Sequence, residues 1–173
     1  MKNLNLIAGL LLILISFSCS SEEDDENQAQ NNGFNINGNF YPTQYAYISD
    51  ENTIDNTISD ISIILANVDP FQTNQSTGIN YVFFDFPAVN IEPGTITNFP
   101  DYQILENANL NNFQVSGGNT ILDDNQSGFM TTAGSVTINS ITATTLNFTF
   151  TFTREDGEVI TGNYSGNYVD TSN

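Results

Sequence analysis

An alternating segment near the carboxyl end constrains the fold more than any other part of the sequence. From residue 146 to 153, apolar residues alternate strictly with Asn or Thr, so one side of an extended chain is apolar and the other is polar. The Asp156-Gly157 pair follows, and residues 159–169 are again compatible with a strand, which predicts a β-hairpin. Together with a preceding strand over residues 134–141, the pattern predicts an antiparallel meander.

The rest of the chain carries looser strand patterns and no sustained helical periodicity. Further strands are predicted at residues 34–37, 44–49, 60–68, 79–86, 102–105, 112–116 and 128–131. One short helical turn is expected around residues 102–109. In residues 81–86 nearly every position is apolar, which suits a central strand covered on both faces or the wall of a closed barrel. Since no helices are predicted to connect parallel strands, we expect an all-β fold with antiparallel pairing, either a β-sandwich or a small β-barrel.

The amino terminus has the layout of an export signal. A short basic start with Lys2 precedes an apolar run over residues 4–17, which ends just before Cys19, the only cysteine. This run is shorter than the ~20 residues that span a bilayer as a helix. The arrangement therefore predicts a signal peptide over residues 1–18.

The position of Cys19 resembles the lipobox of bacterial lipoproteins. It is most similar to the relaxed boxes of Bacteroidetes lipoproteins, because Ser16 stands where leucine is commonest. The resemblance implies that the Cys19 thiol receives a diacylglyceryl group, that the chain is cut before it, and that the new amine is acylated. Acyl chains at ~0.8 kcal/mol per buried methylene would make this attachment to the membrane effectively permanent. An uncleaved anchor or an ordinary secretory signal is the alternative.

A strongly acidic segment follows Cys19. Residues 22–26 are consecutive carboxylates and residues 27–33 are mostly polar, so residues 19–33 are expected to form a flexible tether. An acidic run at this place resembles the export signal that carries Bacteroidetes lipoproteins to the outer face of the outer membrane. That resemblance implies an extracellular location with outer-membrane lipid as a partner through Cys19. A plain spacer, with the domain facing the periplasm, is the alternative.

Residues 34–169 are predicted to form one domain, and residues 170–173 a disordered tail. A domain of this length can bury about two-thirds of its unfolded surface without disulfides or metals. Its closing segments, residues 134–166, resemble the closing meander of many small Bacteroidetes lipoproteins, and residues 34–41 look like their first hairpin. The resemblance is structural and implies no catalytic residue.

The charge composition excludes several classes of chemistry. The chain has 20 Asp and Glu, no histidine, and only Lys2 and Arg154 as basic residues, for a net charge of −18. Histidine triads, histidine zinc sites and lysine Schiff bases therefore cannot be built once residues 1–18 are removed. Nucleic acid is not expected as a partner, because binding a polyanion depends on Lys and Arg. No enzyme activity is assigned, although paired carboxylates could hydrolyse glycosides without histidine.

A calcium loop is the one metal site that the sequence suggests. Asp123, Asn125 and Ser127 place oxygens at alternate positions before Gly128, as in the first half of an EF-hand loop. Gly134 stands where the closing Glu is needed, so an EF-hand is excluded, and a polar turn is the alternative to a weak Ca²⁺ site. Further loop carboxylates are expected to be solvated: Asp50, Glu51, Asp55 and Asp60.

Tyr164 and Tyr168 are the candidate ligand-binding residues. They alternate with Gly162 and Gly166 on one face of the predicted last strand. This spacing suits a binding stripe for a glycan or another ligand, and equally suits aromatic side chains that cover neighbouring glycines.

Three functions stay open. The protein could be a lipid-anchored display module that contacts proteins or glycans, a lipocalin-like carrier of a small ligand, or a carboxylate-based glycoside hydrolase. A filled core with exposed aromatic side chains would favour the first and an internal void the second. A cleft with two carboxylates roughly 5–10 Å apart would favour the third.

Overall fold

The computed structural model describes residues 31–52, 54–125 and 128–172. These residues form thirteen strands: β1 (Gly33–Ile36), β2 (Asn39–Pro42), β3 (Tyr45–Asp50), β4 (Ser59–Ala66), β5 (Gln75–Ala88), β6 (Gly94–Ile96), β7 (Asp101–Asn111), β8 (Gln114–Ser116), β9 (Asn119–Asp123), β10 (Thr131–Ile141), β11 (Thr145–Arg154), β12 (Val159–Asn167) and β13 (Val169–Asp170). None of the described segments is a helix long and apolar enough to cross a membrane.

The strands form two sheets that pack as a β-sandwich. The first sheet has the order β2-β1-β12-β11-β10-β6 and is antiparallel throughout. The second sheet has the order β13-β3-β4-β5-β7, with β8 and β9 both paired along the outer edge of β7. Only the short β13-β3 pair is parallel. The expected all-β, antiparallel class is confirmed, and the two sheets do not close into a barrel.

The predicted meander is β10-β11-β12, and it supplies much of the core. The apolar positions of β11 are buried and face the second sheet, whereas its Asn and Thr side chains are on the outer face. The turn after β11 has Gly157 at φ 89°, as the Asp-Gly signal predicts. The predicted first hairpin is confirmed as β1-β2, which turns through Asn37 and Gly38.

Aromatic rings fill the space between the sheets. The ring of Phe84, on β5, has its centroid 5.8 to 6.4 Å from those of Phe148, Phe150 and Phe152 on β11. Phe150 also lies over Gly162, its partner across the β11-β12 pair, where a Cβ would come within 2.1 Å of the ring. The interior of the sandwich is therefore closely packed.

The predicted helical turn at residues 102–109 is wrong. These residues belong to β7, which pairs with β5 on one side and with β8 and β9 on the other. Backbone pairing along both edges outweighs the weak helical preference of this short segment. Of the predicted strand at residues 128–131, only Thr131 lies in a strand.

Two further expectations are corrected. β5 is central between β4 and β7, but within residues 81–86 only its inward face is fully buried, since Tyr81, Phe83 and Asp85 are half-buried on the outer face. Residues 170–172 do not form the disordered tail that the sequence predicts. Instead, β13 pairs with β3, and the Thr171 amide donates to the Ile48 carbonyl at 2.7 Å. An edge strand with unpaired amides can recruit such a segment whatever its hydropathy.

Candidate binding site on the outer face of the second sheet

The outer face of the second sheet changes from apolar to acidic along its strands. Three cross-strand rows follow from the strand register, and they run Tyr45-Ala66-Tyr81-Leu105, then Tyr47-Ile64-Phe83-Gln103-Asp123, then Ser49-Ser62-Asp85-Asp101. Because such neighbours lie about 5 Å apart, each row is a set of side chains in contact range. The face thus has an apolar end and an acidic end.

A cleft of about 190 Å³ opens at the apolar end. Ile79 and Leu110 are buried at its base and belong to a small apolar cluster separate from the main core. Val68 and Pro70, from the connection between β4 and β5, line it as well. The cleft is therefore a largely apolar hollow outside the sandwich interior.

Tyr47, Phe71 and Phe113 form a row of rings at this cleft, here called the aromatic row. The ring centroids of Tyr47 and Phe71 lie 5.3 Å apart, and those of Phe71 and Phe113 lie 5.6 Å apart. Phe71 is 54% exposed and Phe113 is 59% exposed. Aromatic side chains that stay this exposed at a concave, apolar site are typical of binding surfaces.

Local hydrogen bonds hold the aromatic row in place. Asp69 Oδ1 accepts hydrogen bonds from the Tyr47 hydroxyl at 2.9 Å and from the Phe71 amide at 2.8 Å. The Asn112 amide donates to the Asn74 carbonyl at 2.9 Å, which ties the β4-β5 connection to the β7-β8 turn. Within that turn Phe113 has φ 65°, which is uncommon for a bulky residue and marks a position worth functional attention.

Two polar side chains in the cleft donate hydrogen bonds to carboxylates. Tyr47 donates to Asp69, and Gln103 Nε2 donates to Asp123 Oδ2 at 2.8 Å. Burial and the hydrogen bond to Asp69 raise the pKa of Tyr47, and burial and the charge of Asp101 raise the pKa of Tyr81. Both phenols therefore stay neutral at physiological pH. None of the described lining residues is basic.

Arg154, the only basic residue in the described part of the chain, is engaged elsewhere. Its guanidinium donates two hydrogen bonds to the Asp156 carboxylate and one to the Ile121 carbonyl at 3.3 Å. It also stacks 3.6 Å from the centre of the Phe129 ring.

The acidic end of the face centres on Asp85. Burial and the charge of Asp60 raise the pKa of Asp85 to about 6, and the charge of Asp101, its partner across the β5-β7 pair, adds to the effect. Asp85 Oδ1 is buried without a hydrogen-bond partner among the described residues. Over the same residues, no group of three Asp or Glu side chains is arranged to hold a metal ion.

The calcium candidate is only partly within the described residues. Asp123 is buried, and its Oδ1 accepts a hydrogen bond from the Asn125 amide at 2.7 Å, which closes the turn after β9. The Asn125 side chain donates to Asp124. Ser127 lies outside the described residues, so calcium binding at this loop stays a prediction. Cys19, the predicted lipidation site, also lies outside them.

The two candidate tyrosines are separated by the fold. Tyr164 is 2% exposed, packs against Phe148 in the core and donates to the Asn167 carbonyl, with its hydroxyl end close to Gly166. Tyr168 lies beyond β12 and lines a second cleft of about 230 Å³ together with Asp50 and Asp170. They do not form one stripe, and a ligand role for Tyr168 stays a prediction.

The other loop carboxylates accept local hydrogen bonds. Asp50 Oδ1 accepts from the Asn52 amide and the Ser59 hydroxyl, and Asp55 Oδ1 accepts from the amide and hydroxyl of Thr57. They close turns in the β3-β4 connection.

Phe71, Phe113 and Gln103 are not among the residues predicted from the sequence to form a site. A usable signal is present for the two phenylalanines, because each is the only aromatic residue of its connection, Phe71 after Pro70 and Phe113 after Asn112. A turn rarely needs such a residue for its own geometry.

Fold and site together define a two-sheet β-sandwich with an aromatic cleft on the outer face of one sheet. Comparison with protein-family models, with curated proteins and with solved structures found no match.

Proposed function

We propose that this protein is a lipid-anchored cell-envelope protein that displays a β-sandwich binding module on the outer face of the outer membrane. Cys19 is the proposed lipid attachment, and the acidic residues 22–26 are the proposed export signal and part of the tether. The apolar run, the lone cysteine and the acidic segment that follow one another in the sequence support this assignment.

The binding role is supported by one observation: the core is filled, and exposed aromatic side chains line an outward-facing cleft. Phe84 and the phenylalanines of β11 occupy the space that a carrier would keep for its ligand. Both clefts described above open to solvent. This arrangement favours an interaction module over a lipocalin-like carrier.

Glycoside hydrolysis is less well supported. Asp85 and Asp101 are neighbours across β5 and β7, and the raised pKa of Asp85 is a property of acid catalysts. Neither residue lines the aromatic cleft or the second cleft, however, and a glycosidase needs its two carboxylates on either side of a bound sugar. No catalytic role is assigned to them.

Protease treatment of intact cells tests the display. A protease that cuts after Glu suits the tether, since the sequence offers Glu22, Glu23 and Glu26 there, and no Lys or Arg lies between Lys2 and Arg154. We expect release of the domain from intact cells and loss of membrane attachment in Cys19→Ser, with Ser21→Ala unchanged as the control. Protection of the domain in intact cells, with cleavage only after lysis, would exclude surface display.

A further inference from the structure

We propose that the aromatic cleft binds a small organic cation whose apolar part is a single ring, as in an arylalkylamine. The inference deepens the proposed binding function by naming a ligand class, but it does not depend on which side of the membrane the domain faces.

The size and apolar lining of the cleft determine how large the apolar part of the ligand can be. The volume is about 190 Å³ and the base is formed by Ile79 and Leu110. An apolar cavity of about 150 Å³ is enough to take up benzene in another protein. A single ring with a short chain therefore fills this cleft, whereas a larger apolar body would extend beyond its walls.

The charges around the cleft determine whether a positively or a negatively charged ligand is favoured. Asp69 and Asp123 accept hydrogen bonds from the lining residues Tyr47 and Gln103, and the charge of Asp101 acts on Tyr81. The lining contains no basic residue among those described, and Arg154 is already bound to Asp156. An anion would enter against these carboxylates, whereas a cation would be attracted by them.

The aromatic row supplies the second element of cation recognition. Faces of aromatic rings attract ammonium groups through their quadrupole, and clusters of aromatic rings are a known way of binding organic cations. Phe71 and Phe113 are both more than half exposed and are held by the Asp69 and Asn74 hydrogen bonds before any ligand arrives. Such preorganisation lowers the entropic cost of binding.

Three probes of matched shape test the proposal: phenethylamine, 2-phenylethanol and 3-phenylpropionate, which are cationic, neutral and anionic. Each is titrated into the full chain in a non-ionic detergent, with a detergent blank, and followed by NMR of the Leu110, Val115 and Ile64 methyl groups, which line the cleft. We expect the amine to bind about tenfold more tightly than the carboxylate, with the alcohol between them and with amine binding weakened by salt.

Two variants separate the ring and charge contributions. Phe113→Ala removes an exposed ring and should weaken binding of the amine several-fold. Ile54→Ala, at a position 95% exposed outside the cleft, should leave binding of the amine unchanged. Asp69→Asn keeps an oxygen acceptor for the Tyr47 hydroxyl and the Phe71 amide but removes the charge. It should weaken binding of the amine but not of the alcohol, whereas Glu92→Gln should leave both unchanged.

Equal affinity for the three probes, preference for the carboxylate, or the absence of methyl shifts at millimolar amine would overturn the proposal. Protease release from intact cells uses no ligand, so failure of the ligand proposal and failure of the display proposal are distinguishable.

Discussion

At the scale of single residues, the core depends on aromatic rings that lie directly over glycines. Phe150 covers Gly162 and Phe152 covers Gly134, in both cases across a strand pair of the first sheet. A glycine opposite a phenylalanine leaves room for the ring to lie flat on the neighbouring strand. Two interpretations were open for the glycines of β12: a binding stripe, or glycines covered by aromatic side chains. The core shows the second of these.

Gly162→Ala should destabilise the domain by about 1–3 kcal/mol, because the new methyl would overlap the Phe150 ring, and overpacking of a dense core forces side chains out of their rotamers. Urea denaturation measures the loss. Thr161→Ala, at the exposed neighbouring position of β12, is the matched control and should change the unfolding free energy by less than about 0.5 kcal/mol. Equal unfolding midpoints for the two variants would contradict the packing described here.

At the scale of elements, the β8-β9 connection lets two short strands cover one edge of β7. β8 pairs with residues 109–111 and β9 with residues 103–106. Between them Gly118 has φ 77°, and a Cβ there would lie 2.4 Å from the Glu106 carbonyl oxygen. The cleft depends on this edge, because Val115 of β8 is one of its lining residues.

Gly118→Ala should therefore lower the free energy of unfolding clearly more than Gly38→Ala does. Gly38, in the β1-β2 turn, has φ 75°, but nothing lies within 4 Å of a Cβ built there, so its substitution carries only the left-handed backbone penalty of about 1–2 kcal/mol. The difference between the two unfolding free energies isolates the clash with β7. Hydrogen exchange should show faster exchange in β8 and β9 for Gly118→Ala alone, and unchanged protection there would count against the clash.

At the scale of the whole molecule, charge is divided between the two sheets. The six strands of the first sheet contain no Asp or Glu, and their outer face is mostly Thr, Ser and Asn, with Phe40 and Val159 also exposed. The carboxylates of the described strands lie in the second sheet. Repulsion among them is concentrated at Asp85, whose neighbours Asp60 and Asp101 are also acidic.

Asp85 should make the domain more stable in mild acid. Its pKa of about 6 in the folded protein exceeds the ordinary 3.8, so the folded state holds the proton more tightly than the unfolded state does. This contribution is complete below about pH 4 and is lost as the pH rises to about 6. Because Asp85 is only half-buried, solvent reduces the effect.

Asp85→Asn should stabilise the domain at pH 7 and flatten the decline of stability between pH 4 and 7. Urea midpoints across this range measure both effects. Glu92→Gln removes the same charge from an exposed connection and should leave the decline unchanged. Parallel pH profiles for Asp85→Asn and the unmodified chain would show that other groups cause the decline.

Sequence alone determined the elements that depend on neighbours along the chain. The alternation of residues 146–153 specifies a strand with one buried face, and Asp156-Gly157 specifies the turn that follows. The all-β class, the meander and the first hairpin follow from such local patterns. The loop carboxylates Asp50 and Asp55 likewise each accept a hydrogen bond from the amide two residues further along the chain.

Only the tertiary structure decided which distant segments meet. The sequence predicts only a short strand at residues 102–105, and β7 extends to Asn111 because partners lie on both of its edges. The aromatic row joins Tyr47 on β3, Phe71 in the β4-β5 connection and Phe113 in the β7-β8 turn, and no local pattern in the sequence predicts that these three rings meet. Local sequence determines strand and turn propensities, whereas a site between segments depends on strand register and sheet order, which arise only when the whole core packs.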